Sequence, residues 1–412
     1  MNRMVWTSGA VGSLEQLGLG LVYLGFWGLG LNLYWVYLPT LLLGLPLLAI
    51  SRGFEQKLTR EMAICLLGLV LYLFFLFSFG WKNFLWESTV KSSVVVTFCL
   101  VVPALSVLWL KPLEFRNAFA VYVFGIGCFV LSGVLYTAFY LGLESGRGQI
   151  WLPWRSMPFN SPEFANLTAL VAVFASIWGI VSKRALGFSA AAVILVISFA
   201  IAQYLDARSF YVIMGGAFAL FIYFYRWSKV VYLFLGGVGL YFLGDAFLSW
   251  IIIDTTPSVV MSSDLVPLNS NQDFASTNIA QGRGSFFLRF YLWGEGAHQL
   301  VMSPLGGFRP SEISHWFHNL WLDTAATSGW LPLIILLLLN TGTPVQLLIA
   351  HRDKASISVS LIVVQLVCLA IMFQDVVVEG NFRLLAIYMM AMSANFHFYA
   401  RNKRFPTSAD KA

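Results

Sequence analysis

The chain has 412 residues, of which 59% are hydrophobic and only 11% carry a formal charge. A soluble domain is about 25% charged, so this chain holds too few charged side chains to cover a surface in water. The 36 phenylalanines outnumber the 25 lysines and arginines, and the net charge is +6. These values exclude a soluble globular protein and predict a polytopic membrane protein whose main solvent is lipid.

Apolar runs of about 20 residues, the length at which a helix crosses the hydrocarbon layer, recur along the chain. We predict transmembrane helices over 14–31, 33–50, 62–80, 92–110, 117–142, 164–181, 187–203, 210–225, 230–253, 318–340, 356–374 and 383–400. The first two runs are nearly continuous, so they require a tight turn near Gly30–Asn32. The predicted fold class is therefore all-α, with about twelve transmembrane helices.

Lysines and arginines indicate the orientation, because they favour the cytoplasmic side of a membrane. With the N-terminus inside, sixteen of the 25 fall in inward segments, although the outward segments contain more residues. Both termini are therefore predicted to be cytoplasmic. The chain then divides into residues 1–253 with helices one to nine, a long outward loop over 254–317, and residues 318–412 with helices ten to twelve and a short cytoplasmic tail.

The loop over 254–317 is the one long polar stretch of the sequence. Long loops in compact proteins tend to be either functional or disordered. Within this loop, apolar residues recur at helical spacing, at Phe286, Phe290, Trp293, Ala297 and Leu300. The spacing predicts an amphipathic helix that lies along the membrane face and ends before Pro304 and Gly306-Gly307.

Arginine is frequent on the predicted outward side, where the charge bias disfavours it. The outward arginines are Arg147, Arg155, Arg208, Arg283, Arg289, Arg309 and Arg383, against two lysines, Lys82 and Lys91. The guanidinium group is a planar fork that binds phosphate oxygens bidentately and keeps its charge. This preference indicates an anionic ligand such as a phosphate; contacts to lipid headgroups and ion pairs are the alternatives.

Arg208 and Arg289 are the strongest candidates for such a ligand. Arg208 lies in a short outward turn between two apolar runs, where an ionisable residue is costly and is functional by default. An ion pair with Asp206 is the alternative. Arg289 lies on the predicted amphipathic helix beside its apolar stripe, and Arg283, about one and a half turns earlier, is a candidate helper.

Two of the five histidines, His315 and His318, lie where the long loop enters the next apolar run. A helix N-terminus favours the neutral imidazole, which can accept a proton near neutral pH. His318 is closer to the predicted helix and is therefore the better candidate for a general base. An interfacial histidine that only hydrogen-bonds to the backbone is the alternative.

Other ionisable residues on the outward side are candidates for a metal site or for a supporting role. Glu312, His315 and His318 are spaced three apart, which suits a zinc site, but no fourth ligand is obvious in the sequence. Asp375 and Glu379 lie four residues apart on the outward turn before the last predicted helix. At that spacing they can pair with arginines or orient a histidine.

Five short motifs follow one another on the outward side of this chain. They are Arg208-Ser209, Arg289-Phe-Tyr-Leu-Trp293, Pro304-Leu-Gly-Gly307, His318-Asn-Leu-Trp-Leu322 and Ser328-Gly-Trp-Leu331. In order, spacing and sidedness, this set resembles the O-antigen ligase and O-antigen polymerase superfamily of bacterial inner membranes. The resemblance covers roughly residues 204–340, and the remainder of the chain is similar only as a succession of apolar helices.

The resemblance implies a GT-C-like, metal-independent and inverting glycosyltransferase without a cofactor, whose active site faces the periplasm. Its donor would be a glycan on undecaprenyl pyrophosphate. Arg208 and Arg289 match the family's pyrophosphate-binding arginines, and His318 matches its essential histidine, here expected to be the general base. Asp375 matches an acidic residue that the family places before its last helix. Arg283 and His315 have no firm counterpart and are kept as helpers in substrate binding.

Three functions agree with this pattern. A ligase would transfer the glycan to lipid A–core oligosaccharide, whereas a polymerase would use the same donor to lengthen the glycan. We favour the ligase because 254–317 is the one large outward loop. A transporter of lipid-linked glycans is the third reading, although transporters show related halves and charges near the midplane, which this sequence lacks. The expected partners are these two lipid-linked glycans and membrane lipids, and no nucleic acid.

Overall fold

The structure is a computed structural model, and it describes residues 8–52, 58–80, 89–142, 149–154, 159–181, 185–205, 207–225, 285–308, 317, 319–352, 358–373 and 382–404. At some ends of elements, including residues 208 and 285–291, only the backbone is described. Nearly all of these residues are helical. Within these ranges, strands β1 (Gln149–Ile150) and β2 (Phe159–Asn160) form a short antiparallel pair.

Most helices follow the predicted apolar runs, with ends displaced by up to about two helical turns. The exceptions are the run 318–340 and the helix Gly342–Arg352, which corresponds to no predicted run. Up to residue 225 the helices are α1 (Ser8–Gly30), α2 (Tyr34–Arg52), α3 (Arg60–Gly80), α4 (Thr89–Ser106), α5 (Pro112–Leu135), α6 (Ser161–Val181), α7 (Ala185–Tyr204) and α8 (Arg208–Phe224), with a π-helical turn (Tyr136–Tyr140) after α5. From residue 285 they are α9 (Ser285–Met302), α10 (Leu320–Ser328), α11 (Trp330–Asn340), α12 (Gly342–Arg352), α13 (Val359–Met372) and α14 (Phe382–Arg404). The predicted helix over 230–253 lies outside the described residues.

Several of these helices have the length and composition of membrane spans. Within the described ranges, six segments qualify: Tyr34–Arg52, Arg60–Gly80, Pro112–Tyr140, Pro162–Val181, Ala185–Tyr204 and Trp330–His351. Three apolar helices are shorter, namely Val94–Ser106, Ser209–Phe224 and Val359–Met372. Large apolar side chains such as Leu43 and Phe124 face outward, as contact with lipid requires. The chain is thus an all-α, multi-pass membrane protein, and the count of twelve spans stays a prediction.

The tight turn predicted between the first two helices is confirmed. Helix α1 ends at Gly30 and α2 begins at Tyr34, and between them Asn32 has a left-handed φ of 62°. Asn tolerates this conformation because its short polar side chain can hydrogen-bond locally. The N–H of Leu33 donates to the carbonyl oxygen of Gly28 at 2.8 Å, which closes the turn so that α1 and α2 pack as a hairpin.

The single helix predicted over 318–340 is wrong. The chain turns at Gly329, whose φ is 82°, so α10 is a separate short helix and the apolar segment of membrane-spanning length is Trp330–His351. The turn is bound to the segment after α9, since the N–H of Trp330 donates to the carbonyl oxygen of Pro304 at 3.0 Å. A short helix that is buried in protein can be as hydrophobic as a segment of a membrane-spanning helix. The hydropathy of the sequence therefore did not reveal the break.

Helix α14 lies at the centre of the bundle. Every residue from Arg383 to His397 is buried, and the helix packs against α3, α4, α12 and α13. A helix that is buried on all sides has no lipid-facing or water-facing stripe. Its polar side chains, which include Asn395, must therefore be satisfied by other parts of the protein.

Side-chain hydrogen bonds join α12, α13 and α14 inside the bundle. The Nε2 atom of Gln365 donates to Oε1 of Gln346 at 2.9 Å, and Nδ2 of Asn395 donates to the same oxygen at 3.1 Å. The hydroxyl of Thr343 donates to Oε1 of Gln365 at 3.0 Å and lies 2.9 Å from the hydroxyl of Tyr388. These bonds satisfy polar groups that lipid cannot satisfy, and they fix the three helices to one another.

Two clusters of ion pairs lie at opposite ends of α1. Near its start, Arg52 at the end of α2 contacts the carboxylates of Glu15 at 2.6 Å and Glu114 at 2.7 Å. Near its other end, Arg383 pairs with Glu163 at 2.7 Å and also approaches the carbonyl oxygen of Gly30. The charge pattern places Arg52 and Arg383 on opposite sides of the membrane, and the fold separates them accordingly.

Candidate functional site

The structure describes the framework around the predicted site but not the side chains of the predicted site residues. Arg208 is the first residue of α8, and Arg289 lies in the second turn of α9; for both, only the backbone is described. The other predicted site residues, Arg283, His315, His318 and Asp375, lie outside the described residues. The contacts of their neighbours in the chain nevertheless show which elements meet.

Asn319, the residue after His318, determines where α10 begins. Its side-chain oxygen accepts hydrogen bonds from the N–H groups of Trp321 at 3.1 Å and Leu322 at 3.2 Å. Asn is among the best residues for this capping position, because it satisfies amides that the first turn of a helix leaves unpaired. The asparagine of the His-Asn motif thus has a structural role that is independent of any substrate.

Asp323 holds the same segment from inside the protein. Its side chain is buried in the first turn of α10, and its Oδ1 atom accepts from the N–H of Phe317 at 2.8 Å. Its Oδ2 atom accepts from the N–H of Asn319 at 3.2 Å. A buried carboxylate is costly unless it is hydrogen-bonded, and both of these bonds are charge-assisted. The backbone immediately before and after His318 is therefore fixed.

Helix α9 packs against this segment through Trp293 and Gly296. The indole N–H of Trp293 donates to the carbonyl oxygen of Phe317 at 2.9 Å, and its ring centroid lies 4.8 Å from that of Phe373. At Gly296, a Cβ atom would come within 2.8 Å of the Phe317 ring, so only glycine allows the ring to lie on the helix backbone. Arg289 precedes Trp293 by four residues, which places it on the same face of α9.

A helix, α9, is present where the sequence predicted the amphipathic one, with one change to its buried face, and its position along the membrane face stays a prediction. Leu292 and Leu300 are buried and Trp293 is half-buried, whereas Ala297 is exposed. The helix packs on α10. The apolar stripe read from the sequence was therefore displaced slightly around the helix, because the residue that admits close packing is Gly296.

The C-terminal end of α13 reaches the same segment. The Nδ2 atom of Asn319 donates to the carbonyl oxygen of Phe373 at 3.2 Å, and Phe373 is the residue that ends α13. The ring of Phe373 also lies near Trp321, with 5.9 Å between the centroids. Asp375 follows Phe373 by only two residues in the chain. The last described residue before Asp375 therefore lies beside the backbone that flanks His318.

Helix α8 brings Arg208 to the same end of the bundle. It packs along α13, and the hydroxyl groups of Tyr225 and Ser360 are 2.8 Å apart where α8 ends and α13 begins. The two helices thus run in opposite directions, so the start of α8 and the end of α13 point to the same side. Segments that carry or adjoin positions 208, 289, 318 and 375 consequently converge on one end of the protein.

Arg383 does not belong to this group. The structure supports the ion-pair alternative for this outward arginine, because its side chain is 5% exposed and its guanidinium group contacts Glu163 at 2.7 Å. The same group lies 4.1 Å from the centre of the Phe129 ring, which adds a cation–π contact. Its charge is balanced within the protein and is not directed to a ligand.

The sequence contained a signal for Asp323 that the pattern of apolar runs concealed. An ionisable residue inside an apolar run is costly and marks a functional position, and Asp323 falls inside the run 318–340. Two of its hydrogen bonds come from backbone amides, which no residue pattern identifies. Glu163, the partner of Arg383, lies just before the predicted run 164–181 and in the first turn of α6, so no such signal marked it in the sequence.

Compared with models of known protein families and with curated proteins, the chain matches none. Within the part of the chain that the structure describes, no group of three or more His, Cys, Asp or Glu side chains could hold a metal ion. The metal alternative built on Glu312, His315 and His318 falls on residues outside that part. A function for this chain must therefore be argued from its residues and from the framework that surrounds them.

Proposed function

We propose that this protein is a GT-C-like glycosyltransferase of the bacterial inner membrane, which transfers O-antigen glycan from undecaprenyl pyrophosphate to lipid A–core oligosaccharide at the periplasmic face. One observation carries the proposal: three elements meet at the backbone that flanks His318. They are α9, which contains Arg289, α10, and the end of α13, which precedes Asp375. A cation, a proton acceptor and a carboxylate on adjoining elements are what this transfer requires.

The arginines would act on the donor. Pyrophosphate is already a good leaving group, so the enzyme needs to neutralise the negative charge that accumulates on it as the sugar departs. Guanidinium groups do this as fixed, preorganised charges, and their forked shape fits phosphate oxygens. Arg208 and Arg289 are proposed for this role, with Arg283 and His315 as helpers, and the chemistry calls for no cofactor.

His318 would act on the acceptor. The attacking sugar hydroxyl must lose a proton as its oxygen bonds to the anomeric carbon from the face opposite the pyrophosphate, which gives inversion. A neutral imidazole can take that proton at neutral pH. Asp375 is proposed to support this step from the neighbouring turn. Because both substrates are anchored in the membrane, binding them at one surface supplies much of the rate enhancement through proximity.

The test uses purified full-length protein, undecaprenyl-pyrophosphate glycan and a chelator throughout. One reaction contains the donor alone, and a second contains the donor with lipid A–core oligosaccharide. We expect a product only in the second reaction, which identifies a metal-independent ligase. Lengthening of the glycan in the first reaction would instead identify a polymerase.

A null result also has a defined meaning. If folded protein gives no product in either reaction, transport of the lipid-linked glycan becomes the reading to test, with the protein in vesicles and the donor on one leaflet. Movement of the donor between leaflets without glycan transfer would identify the protein as a transporter instead of a glycosyltransferase.

A further inference from the structure

Asp323 is a buried carboxyl group whose two oxygens both accept hydrogen bonds from the backbone. It is 0% exposed, and its two oxygens bind two different amides, those of Phe317 and Asn319. Asn319 already caps α10, because its side chain accepts hydrogen bonds from two N–H groups at the start of that helix. Removing an ionised carboxylate from water is costly, and a neutral side chain would avoid that penalty. A role that depends on the negative charge would account for this cost.

The two amides show where that role is exerted. Phe317 and Asn319 are the residues on either side of His318, so Asp323 is bonded to the chain on both sides of it. The position of Asp323 in the first turn of α10 also favours its negative charge, because the N-terminus of a helix is the positive end of its dipole. The carboxylate is thus a fixed negative charge one peptide unit from position 318.

We propose that Asp323 is a positioning residue for glycan transfer, acting on His318 through the segment 317–319. This inference rests on the function proposed above. By holding both flanking amides, Asp323 sets the backbone at position 318, so the imidazole needs little reorganisation to reach the acceptor hydroxyl. Its charge also stabilises the imidazolium that forms when the proton is taken.

In this scheme, Asp323 neither gains nor loses a proton. The proton moves from the acceptor hydroxyl to the imidazole of His318, the hydroxyl oxygen bonds to the anomeric carbon, and the bond from that carbon to the pyrophosphate breaks. The positive charge that appears on His318 and the negative charge that leaves with the pyrophosphate balance. The carboxylate influences the rate of the step, and it leaves the binding of the donor to the arginines.

The test is the substitution Asp323→Asn, which preserves the shape of the side chain and removes its charge and one acceptor. With undecaprenyl-pyrophosphate glycan and lipid A–core oligosaccharide, we expect kcat to fall on the order of 100-fold while KM for the donor is unchanged. Ser328→Ala is the matched control. Ser328 is also buried in α10. Its hydroxyl donates to the carbonyl oxygen of Leu76 at 2.7 Å, and Leu76 lies on α3, far from the segment 317–319 in the chain. The control variant should lose stability and retain kcat.

The outcomes separate the two proposals. If the wild-type protein transfers no glycan, the proposed function fails. If the wild type is active and folded Asp323→Asn retains its kcat, or if Ser328→Ala loses as much, then Asp323 has only a structural role. Should Asp323→Asn not yield folded protein, Asp323→Glu keeps the charge on a longer side chain. Its kcat should be reduced with an unchanged KM, and a normal kcat would overturn the inference.

Discussion

Arg383 and Glu163 form a buried ion pair that ties the start of α14 to the start of α6. Such a pair is a poor source of net stability, because removing two charges from water costs about as much as their attraction returns. Removing only one of the two partners, however, is strongly destabilising. The residue left behind is then a buried charge without its main counterion, and the protein must accommodate it in a low-dielectric surrounding.

The substitution Arg383→Met should therefore destabilise the protein by about 3–5 kcal/mol, visible as a lower apparent Tm in detergent. Adding Glu163→Gln to the same chain should restore much of the loss, because the stranded carboxylate is removed. Binding of the donor should be unaffected in whatever folded protein remains. A stable Arg383→Met variant that fails to bind the donor would return Arg383 to the group of ligand-binding arginines.

His318 is expected to matter in the opposite way, for chemistry and little for folding. His318→Ala should reduce transfer to background, since no other group would accept the proton, while the donor still binds through its pyrophosphate. Binding of a labelled donor and turnover are measured on the same preparation. Near-normal turnover by this variant would remove His318 as the base and leave it as an interfacial residue bonded to the backbone.

At the scale of elements, the corner between α10 and α11 depends on glycine. Gly329 has a φ of 82°, and a Cβ atom there would contact the carbonyl oxygen of Pro304 and come within 2.6 Å of the carbonyl carbon of Leu305. Gly306, on the other side of the contact, is in the same situation, since its Cβ would come within 2.6 Å of the Gly329 nitrogen. Two backbones are therefore in direct contact at this corner.

Gly329→Ala should cost about 2 kcal/mol or more, from the unfavourable φ together with the overlap. The matched control is Gly294→Ala on α9, where nothing lies within 4 Å of the added Cβ. Alanine there should be neutral or should stabilise the helix by up to about 1 kcal/mol. Apparent Tm values of the two variants are compared with the wild type, and equal values for both would contradict this account of the corner.

The elements that the sequence predicted well are those whose signal is local. The turn at Asn32 and the end of α9 depend on neighbouring residues, so composition and periodicity were sufficient. The break at Gly329 and the bonds of Asp323 depend on contacts with residues distant in the chain, such as Pro304. For the candidate site, sequence could name residue types and their order. It could not show that Asn319 and Trp293 would connect the segments.

For the whole molecule, the orientation predicted from charge can be measured. Leu58, between α2 and α3, and Trp154, between the π-helical turn and α6, are both exposed and lie at opposite ends of the fold by the order of the helices. We expect a cysteine at position 154 to react with a membrane-impermeant maleimide on right-side-out vesicles, and one at position 58 to react only after permeabilisation. The reverse labelling pattern would show that the protein has the opposite orientation, with the candidate site on the cytoplasmic side.

The central position of α14 has a consequence for how the protein is made. Because α14 is the last helix of the described chain in order of synthesis, the helices that surround it enter the membrane before their common core exists. Until it arrives, Gln346 lacks the hydrogen bonds that the side chain of Asn395 and the carbonyl oxygen of Met392 provide. The earlier helices must therefore stay together loosely, or be held by an insertase or chaperone, until translation is complete. Truncations that remove α14 should leave exposed amides in lipid, which is the kind of defect that membrane proteases recognise.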